Sequence, residues 1–224
     1  MKKIILSMMT LGLLGCVHSK PMIKAVKPGS IIVLNGPSVA GKSSIQKAFQ
    51  KINMPELWVK VGIDNLFDFP MPEITAENLS YWQTENKIRW VSSSTDRDGK
   101  NIVSLHVGEQ GERVAFAMNS AIAAYAENGC NVIVDYIAYK KTWFDDLERK
   151  LSPYRVFYVA VDISLVELEK REAARKTSPV GHARSHYGQV YWDKSYDLRV
   201  NSENQSAEEI AKKIVELTMA NGKK

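Results

Sequence analysis

The sequence has few cysteines, no strong excess of either charge and no long apolar run. Its 224 residues include two cysteines, too few for a disulfide framework. The 30 basic and 25 acidic residues give a formal net charge of +5, which does not indicate a nucleic-acid partner without a basic patch. Hydrophobic residues make up 45% and charged residues 25%, as in globular proteins. A disordered chain, a collagen-like repeat and a multi-span membrane protein are therefore excluded.

The N-terminal segment resembles a secretory signal. Lys2 and Lys3 precede an 11-residue, largely apolar run at 4–14, which is too short to span a membrane. The end of this run, Leu13-Leu14-Gly15-Cys16, resembles the lipobox of bacterial lipoproteins, in which the cysteine is lipidated and becomes the new N-terminus. A lipid on Cys16 is the one membrane attachment that we expect.

A second interpretation is that translation starts at Met22 and that residues 1–21 are a spurious extension. The first interpretation places the protein at the cell membrane or in the periplasm, and the second places it in the cytoplasm. In both, residues 22–224 form one domain, because the sequence beyond the leader has neither repeats nor a low-complexity linker.

Apolar runs alternate with helical patterns from residue 29 onward, which is typical of an α/β fold with a parallel sheet. We predict strands at 31–34, 57–63, 132–134, 156–161 and 198–200. We predict helices at 43–51, 112–128, 165–176 and 207–219. An insertion at about 70–110 contains a hairpin signal, the Asp98-Gly99 turn between two apolar runs.

The segment between the first predicted strand and helix fits the P-loop pattern G-x-x-x-x-G-K-[ST]. It runs Gly36-Pro37-Ser38-Val39-Ala40-Gly41-Lys42-Ser43, with Ser44 directly after it. The glycines let backbone N–H groups wrap the phosphates of ATP, Lys42 bridges the β- and γ-phosphates, and the Ser43 hydroxyl binds Mg²⁺. Because the pattern follows an apolar strand and precedes a helix, we predict that residues 36–44 bind ATP.

Asp135 ends the third predicted strand and is a candidate for holding Mg²⁺ through water, together with Ser43. The alternative is an ordinary strand-end aspartate that caps the next turn. The carboxyl ends of parallel strands meet at one edge of the sheet, where the phosphate loop also lies, and this favours the metal role.

Phosphoryl transfer to an alcohol requires a carboxylate that orients the hydroxyl group and accepts its proton. Asp64, at the carboxyl end of the second predicted strand, is our candidate for this catalytic base. Asp68 competes with it from a less regular stretch, and Asp64 could instead cap a helical turn. The position of Asp64 on the edge that carries the phosphate loop favours the catalytic role.

Arg171 and Arg175 are four residues apart on a predicted helix, so they share one face and are candidates for stabilising the transferred phosphoryl group. The alternative is a solvated helix face on which three glutamates pair with them, namely Glu167, Glu169 and Glu172. The polar stretch at 176–184 is predicted to be a mobile lid, with His182 and His186 on its surface.

Aromatic residues of the insertion and of the second strand have two interpretations. They wall a pocket for an aromatic or apolar acceptor, or they form a small core of the hairpin, which we favour. The residues are Trp58, Tyr81, Trp82 and Trp90.

The residues above resemble the chloramphenicol phosphotransferase-like family of P-loop kinases over about residues 30–215. Matching segments include Ile32-Val33-Leu34-Asn35-Gly36-Pro37-Ser38, Gly41-Lys42-Ser43-Ser44, Gly62-Ile63-Asp64-Asn65-Leu66, Ile88-Arg89-Trp90, Asn131-Val132-Ile133-Val134-Asp135 and Tyr196-Asp197-Leu198-Arg199-Val200. The resemblance implies an ATP-dependent O-phosphotransferase whose strands are ordered 2-3-1-4-5, with helices on both faces. It also implies that Asp64 is the base and that the region of Arg171 and Arg175 closes over the phosphates. Two positions depart from the family pattern, Asn201 in place of a frequent aspartate and Tyr136 in place of a histidine or aspartate, and both are candidates for altering the acceptor pocket.

We therefore expect an ATP-dependent kinase that phosphorylates a hydroxyl group of a small molecule, a chloramphenicol-like antibiotic or another alcohol. A nucleoside or nucleotide kinase of the same architecture is the second hypothesis. A non-catalytic, membrane-tethered nucleotide-binding protein is the third, although such a protein does not need Asp64 or paired arginines. A secreted lipoprotein would also fold where ATP is scarce, which conflicts with a loop built for ATP. The sequence does not predict the oligomeric state.

Overall fold

The computed structural model describes residues 26–68, 71–176 and 178–220. The predicted leader at 1–21, including Cys16, lies outside the described residues, so the lipid anchor stays a prediction. Among the helices of the described ranges, none has the length and apolar character needed to cross a membrane.

A parallel sheet of five strands forms the centre of the fold. The strands of the chain are β1 (Ser30–Asn35), β2 (Trp58–Gly62), β3 (Ile88–Thr95), β4 (Asn101–Val107), β5 (Asn131–Tyr136), β6 (Arg155–Asp162) and β7 (Leu198–Asn201). The sheet has the order β2-β5-β1-β6-β7, and every neighbouring pair is parallel. When the strands of this sheet are numbered by themselves, leaving out β3 and β4, the order is 2-3-1-4-5, as predicted. The ends of each of the five predicted strands are confirmed to within two residues.

Helices cover both faces of the sheet, as predicted. They are α1 (Lys42–Asn53), α2 (Leu79–Trp82), α3 (Glu109–Glu127), α4 (Lys141–Leu151), α5 (Leu165–Arg175), α6 (His182–Ser185) and α7 (Ala207–Ala220). A π-helical turn covers Asp64–Asp68 and a 3₁₀ turn covers Gln189–Tyr191. The prediction missed α4, although its buried residues follow helical spacing, at positions 143, 144, 147 and 151.

The side chains of β1 alternate between two hydrophobic cores. Ile31 and Val33 pack with α3 and α4, whereas Ile32 and Leu34 pack with α1 and α7. All four are fully buried, as expected for a central strand with both faces covered. A strand that is held from both sides fixes the position of the loop that follows it.

The predicted hairpin is confirmed as the antiparallel pair of β3 and β4. Its turn contains Gly99 at φ 73°, and the Asp96 carboxylate accepts hydrogen bonds from the N–H groups of Asp98 and Lys100. The hairpin also contacts α6, because the N–H of Val103 donates to the carbonyl of Gly181 at 3.2 Å. The insertion is thereby attached to the segment that follows α5.

Candidate active site

The phosphate loop joins the central strand β1 to α1. Its residue Gly41 has φ 88° and precedes the first helical residue, a conformation that favours glycine. A Cβ atom on Gly36 would lie 2.6 Å from the carbonyl oxygen of Val161 on β6, so only glycine fits there. The loop leads directly into the N-terminus of α1, where unpaired N–H groups and the helix dipole favour an anion.

Lys42 is buried inside this loop and is 3% exposed. Its Nζ donates to the carbonyl oxygens of Gly36 at 3.0 Å and Pro37 at 2.7 Å, and lies 3.4 Å from Asp135 Oδ1. Burial lowers the pKa of Lys42, whereas the neighbouring Asp135 carboxylate raises it. The contact with Asp135 supplies a counter-charge for a buried ammonium group.

Ser43 and Asp135 meet at the start of α1 and the end of β5. The hydroxyl of Ser43 donates to Asp135 Oδ2 at 2.6 Å. Hard oxygen ligands of this kind are those that Mg²⁺ takes, and Mg²⁺ sites with one or two protein oxygens are completed by water and phosphate. The two residues therefore fit the predicted magnesium site. The alternative was that Asp135 caps the turn after β5, but these contacts of its carboxylate are with Ser43 and Lys42.

Asp64 begins the π-helical turn that follows β2 and faces the same cleft. Solvent reaches its side chain, but the cleft walls displace water around it, and this desolvation is the largest cause that raises the pKa of Asp64. The charge of Asp135 raises this pKa as well, whereas the charges of Arg175 and Lys42 lower it. Asp68, at the other end of the turn, lines the same cleft. The structure thus brings both candidate bases into the cleft.

The two arginines of α5 are placed differently. Arg171 donates to Glu167 Oε1 at 3.0 Å and to the carbonyl of Ser202 at 2.8 Å. It lies beside the phosphate loop, since a Cβ atom added to Gly41 would be 3.7 Å from its Nη1. Arg175 lines the cleft and is in no salt bridge to any residue that the structure describes. Of the three predicted glutamate partners, Glu167 pairs with an arginine of this face, which leaves Arg175 available to a ligand.

The segment predicted to be a mobile lid contacts the hairpin and lines part of the cleft. The buried carboxylate of Glu172 accepts hydrogen bonds from the N–H groups of Gly181 at 2.8 Å and Ala183 at 2.6 Å. The prediction that His182 and His186 lie on a lid surface is wrong, because their side chains are 1% and 5% exposed. Aromatic rings that are distant in sequence cover them.

Trp90 and Tyr139 are those rings. Trp90 packs edge-on against His182, with 4.5 Å between ring centroids, and Tyr139 lies 5.0 Å from the ring of His186. The hydroxyl of Tyr139 is 2.9 Å from His182 Nε2. Burial lowers the pKa of His182 to about 4, so the ring is neutral and accepts this hydrogen bond.

A cleft of about 980 Å³ collects the predicted residues. Ser38 to Ser44, Asp64, Asp135, Arg171 and Arg175 line it, whereas Gly36 and Pro37 contribute through the carbonyls that hold Lys42. Sequence reasoning missed Lys47 and Tyr139, which also line the cleft. Lys47 lies one helical turn after Ser43, a spacing that was readable in the sequence.

The cleft also has an apolar set of lining residues, namely Ile63, Phe67, Ile74, Ile88, Trp90, Leu105 and Ile137. A side pocket of about 340 Å³, with Trp82 in its wall, shares Phe67, Asp68, Ile74 and Ile88 with the cleft. Trp58 packs instead against Phe49 in the core, with 5.0 Å between ring centroids, and Tyr81 is exposed. Of the four aromatic residues, Trp90 walls the cleft and Trp82 walls the side pocket.

Neither residue that departs from the family pattern is among those that line the cleft. Tyr136 is fully buried, and its hydroxyl donates to Asn119 Oδ1 at 3.0 Å. The side-chain oxygen of Asn201 accepts hydrogen bonds from the N–H groups of Glu203 and Asn204. Both side chains stabilise local structure.

Solved kinases share this fold at low sequence identity. An APS kinase from Mycobacterium tuberculosis, solved with AMPPNP and APS, is 17% identical and superposes with a TM-score of 0.55 over 86% of this chain and 98% of its own. A sugar kinase from Janibacter has 15% identity and a TM-score of 0.53, with 86% and 95% of the two chains covered. The shikimate kinase of Acinetobacter baumannii has 14% identity and a TM-score of 0.52, with 89% and 97% covered.

The sheet order and the phosphate loop, together with these likenesses, define a protein of the P-loop kinase class. Residues 29–219 match the family described as chloramphenicol phosphotransferase-like protein, and the chain belongs to this family. Two curated proteins from strains of Mycobacterium tuberculosis, each named "Putative O-phosphotransferase", are 31% identical over 188 residues, which are 84% of this chain and 81% of theirs. The family that the sequence resembles is thus confirmed.

Proposed function

We propose that this protein is an ATP-dependent O-phosphotransferase that transfers the γ-phosphate of ATP to a hydroxyl group of a small molecule. The observation that carries this proposal is the position of Asp64, whose carboxylate faces the cleft that the phosphate loop lines. Desolvation raises the pKa of Asp64, and the charge of Asp135, beside the loop, raises it further. The charge of Lys42, in the loop, lowers it. A nucleotide-binding protein without an acceptor does not need a carboxylate there.

The side chains of the cleft divide the reaction between them. Lys42 binds the β- and γ-phosphates, and Asp64 takes the hydroxyl proton as the acceptor oxygen bonds to the γ-phosphorus and the bond to ADP breaks. Arg171 and Arg175 stabilise the charge of the group in transfer. Ser43 and Asp135 would hold Mg²⁺, which supplies further neutralisation of phosphate charge when bound.

The chemistry of the cleft favours an acceptor with an apolar body and no anionic group. The cleft-lining residues between positions 63 and 105 are largely aliphatic and aromatic, with Asp64 and Asp68 as the acidic groups among them. Arg89 belongs to the same set, but it donates to Glu85 Oε1 at 2.6 Å and to the carbonyl of Thr84 at 3.1 Å. Asp64 and Asp68 would therefore repel a carboxylate on the acceptor. Arg89 would attract it only weakly, because its guanidinium is already paired with Glu85.

Labelled ATP and a panel of acceptors test this function. The panel contains chloramphenicol-like alcohols, other uncharged or cationic alcohols, nucleosides and, as negative controls, hydroxy acids. We expect label transfer to an uncharged or cationic alcohol and none to the hydroxy acids. Tight ATP binding without transfer to any member of the panel would contradict the proposal and favour a non-catalytic nucleotide-binding protein.

A further inference from the structure

His186 contacts the phosphate loop from a different part of the chain. Its side chain is 5% exposed and follows α6, and its Nε2 lies 3.0 Å from the backbone nitrogen of Ser38. The N–H of Ser38 donates in this contact, so Nε2 of His186 is the acceptor and carries no proton. The sequence separation of 148 residues means that folding alone brings the two groups together.

The surroundings of His186 keep its ring in this form. Nδ1 lies 3.3 Å from Ser185 Oγ, whose hydroxyl donates to the carbonyl of His182 at 2.7 Å. Nδ1–H therefore has an acceptor, which fixes the tautomer. Burial holds the pKa of His186 well below its usual range, and the charge of Lys42 lowers it further. The ring of Tyr139 covers another side, 5.0 Å away.

Glu172 fixes the segment that carries His186. It lies on α5 between the two arginines, and its carboxylate binds the N–H groups of Gly181 and Ala183, at the start of α6. The arginine helix, α6 and the phosphate loop are thus joined by buried hydrogen bonds. Buried polar groups of this kind are costly to leave unpaired, so the three elements keep a fixed arrangement.

We propose that His186 is a positioning residue of the phosphate loop. By accepting the Ser38 N–H, it fixes one peptide of the loop, so that the following N–H groups keep the arrangement in which they bind phosphate. This role rests on the proposed function, because it concerns the affinity of the loop for a nucleoside triphosphate.

Calorimetric titration with MgATP, without any acceptor, tests this role in wild type and three variants. His186→Leu removes the acceptor at similar bulk, and His186→Gln places an amide oxygen where Nε2 stands. His106→Gln is the control, since His106 lies on β4, contacts Glu85 and does not line the cleft. We expect about tenfold weaker MgATP binding for His186→Leu, as for the loss of one buried hydrogen bond. We expect affinities within about threefold of wild type for the other two variants.

The outcomes separate this role from the proposed function. Equal or tighter MgATP binding by His186→Leu overturns the role of His186 alone, and so does an equal loss of affinity in His186→Gln. Absence of MgATP binding by wild type contradicts the proposed function itself. Because His186→Leu is a buried change, NMR of the wild-type protein supplies a second measurement. A scalar coupling between the Ser38 nitrogen and His186 Nε2 is expected, and its absence in a spectrum that resolves both nitrogens overturns the inference.

Discussion

Ser43 and Asp135 are 92 residues apart in sequence, and the Ser43 hydroxyl donates to the Asp135 carboxylate at 2.6 Å. The contact exists because β1 and β5 are parallel neighbours with Leu34 paired to Asp135, so the loop after β1 begins level with the end of β5. A hydroxyl and a carboxylate therefore lie together beside Lys42 at the edge of the sheet where the phosphate loop begins. This geometry makes a first prediction about the dependence on Mg²⁺.

Asp135→Asn and Ser43→Ala are expected to raise the Mg²⁺ concentration needed for half-maximal turnover by about tenfold or more, because the first removes the carboxylate charge and the second removes the hydroxyl oxygen. Titration of turnover with Mg²⁺ at fixed ATP measures the effect. Ser120→Ala is the control, since Ser120 is exposed on α3 and its hydroxyl donates to the carbonyl of Phe116 in its own helix. An unchanged Mg²⁺ requirement in both variants would argue against the metal role of this pair.

The arginines of α5 make a second prediction. Arg175→Met and Arg171→Met are expected to lower kcat by about 10²–10³, with a smaller change in KM for ATP, because charge stabilisation matters most in the transition state. Steady-state kinetics separates the two constants. Lys170→Met is the matched control, because Lys170 is exposed on the same helix and pairs with Glu167. Equal losses in Lys170→Met and Arg175→Met would show that the charge of the helix, rather than Arg175, matters.

A third prediction concerns the buried carboxylate of Glu172, which is 2% exposed. The N–H groups of Gly181 and Ala183 bind different oxygens of Glu172, so Glu172→Gln keeps an acceptor for one of them, turns an NH₂ donor towards the other and loses the charge that strengthens both bonds. We expect the free energy of unfolding to fall by about 1–3 kcal/mol. Denaturant unfolding measures this change, with Glu216→Gln on the exposed side of α7 as the control. A change of less than about 0.5 kcal/mol would contradict the structural role of Glu172.

The pKa of Asp64 makes a fourth prediction, on stability against pH. Because the folded protein raises this pKa, ionised Asp64 destabilises the fold, and the stability present at low pH is lost as the pH rises through the raised pKa. Asp64→Asn removes this loss and is expected to melt at a higher temperature than wild type at pH 7. The difference should shrink towards pH 4, where protonated Asp64 accumulates. A melting temperature for Asp64→Asn below that of wild type at pH 7 would contradict the direction of the shift.

Sequence patterns predicted the sheet and the loop because the signals are local. The run at 31–34 and the pattern at 36–43 lie side by side, and the aspartates at the ends of β2 and β5 are placed by the parallel topology. Helix α4 was missed because Trp143, Phe144, Leu147 and Leu151 are dispersed among seven other residues, six of them charged, and tertiary packing rather than composition reveals their common face.

The burial of His182 and His186 was not readable from the sequence. Their segment is polar and contains glycine and proline, which is typical of a surface loop. The residues that bury them, Trp90 and Tyr139, come from β3 and from the loop after β5. Contacts of this sequence separation leave no local pattern, so the contact between His186 and the phosphate loop emerged only from the structure.

The central claim is that Asp64 is the base of an ATP-dependent phosphotransferase, and Asp64→Asn tests it most directly. Turnover with an accepted alcohol and MgATP affinity should be measured together in wild type, Asp64→Asn, Asp68→Asn and Lys42→Ala. The account predicts that Asp64→Asn binds MgATP normally with turnover reduced at least about 10³-fold, that Asp68→Asn keeps most of its turnover, and that Lys42→Ala loses both properties. Wild-type turnover in Asp64→Asn would contradict the account.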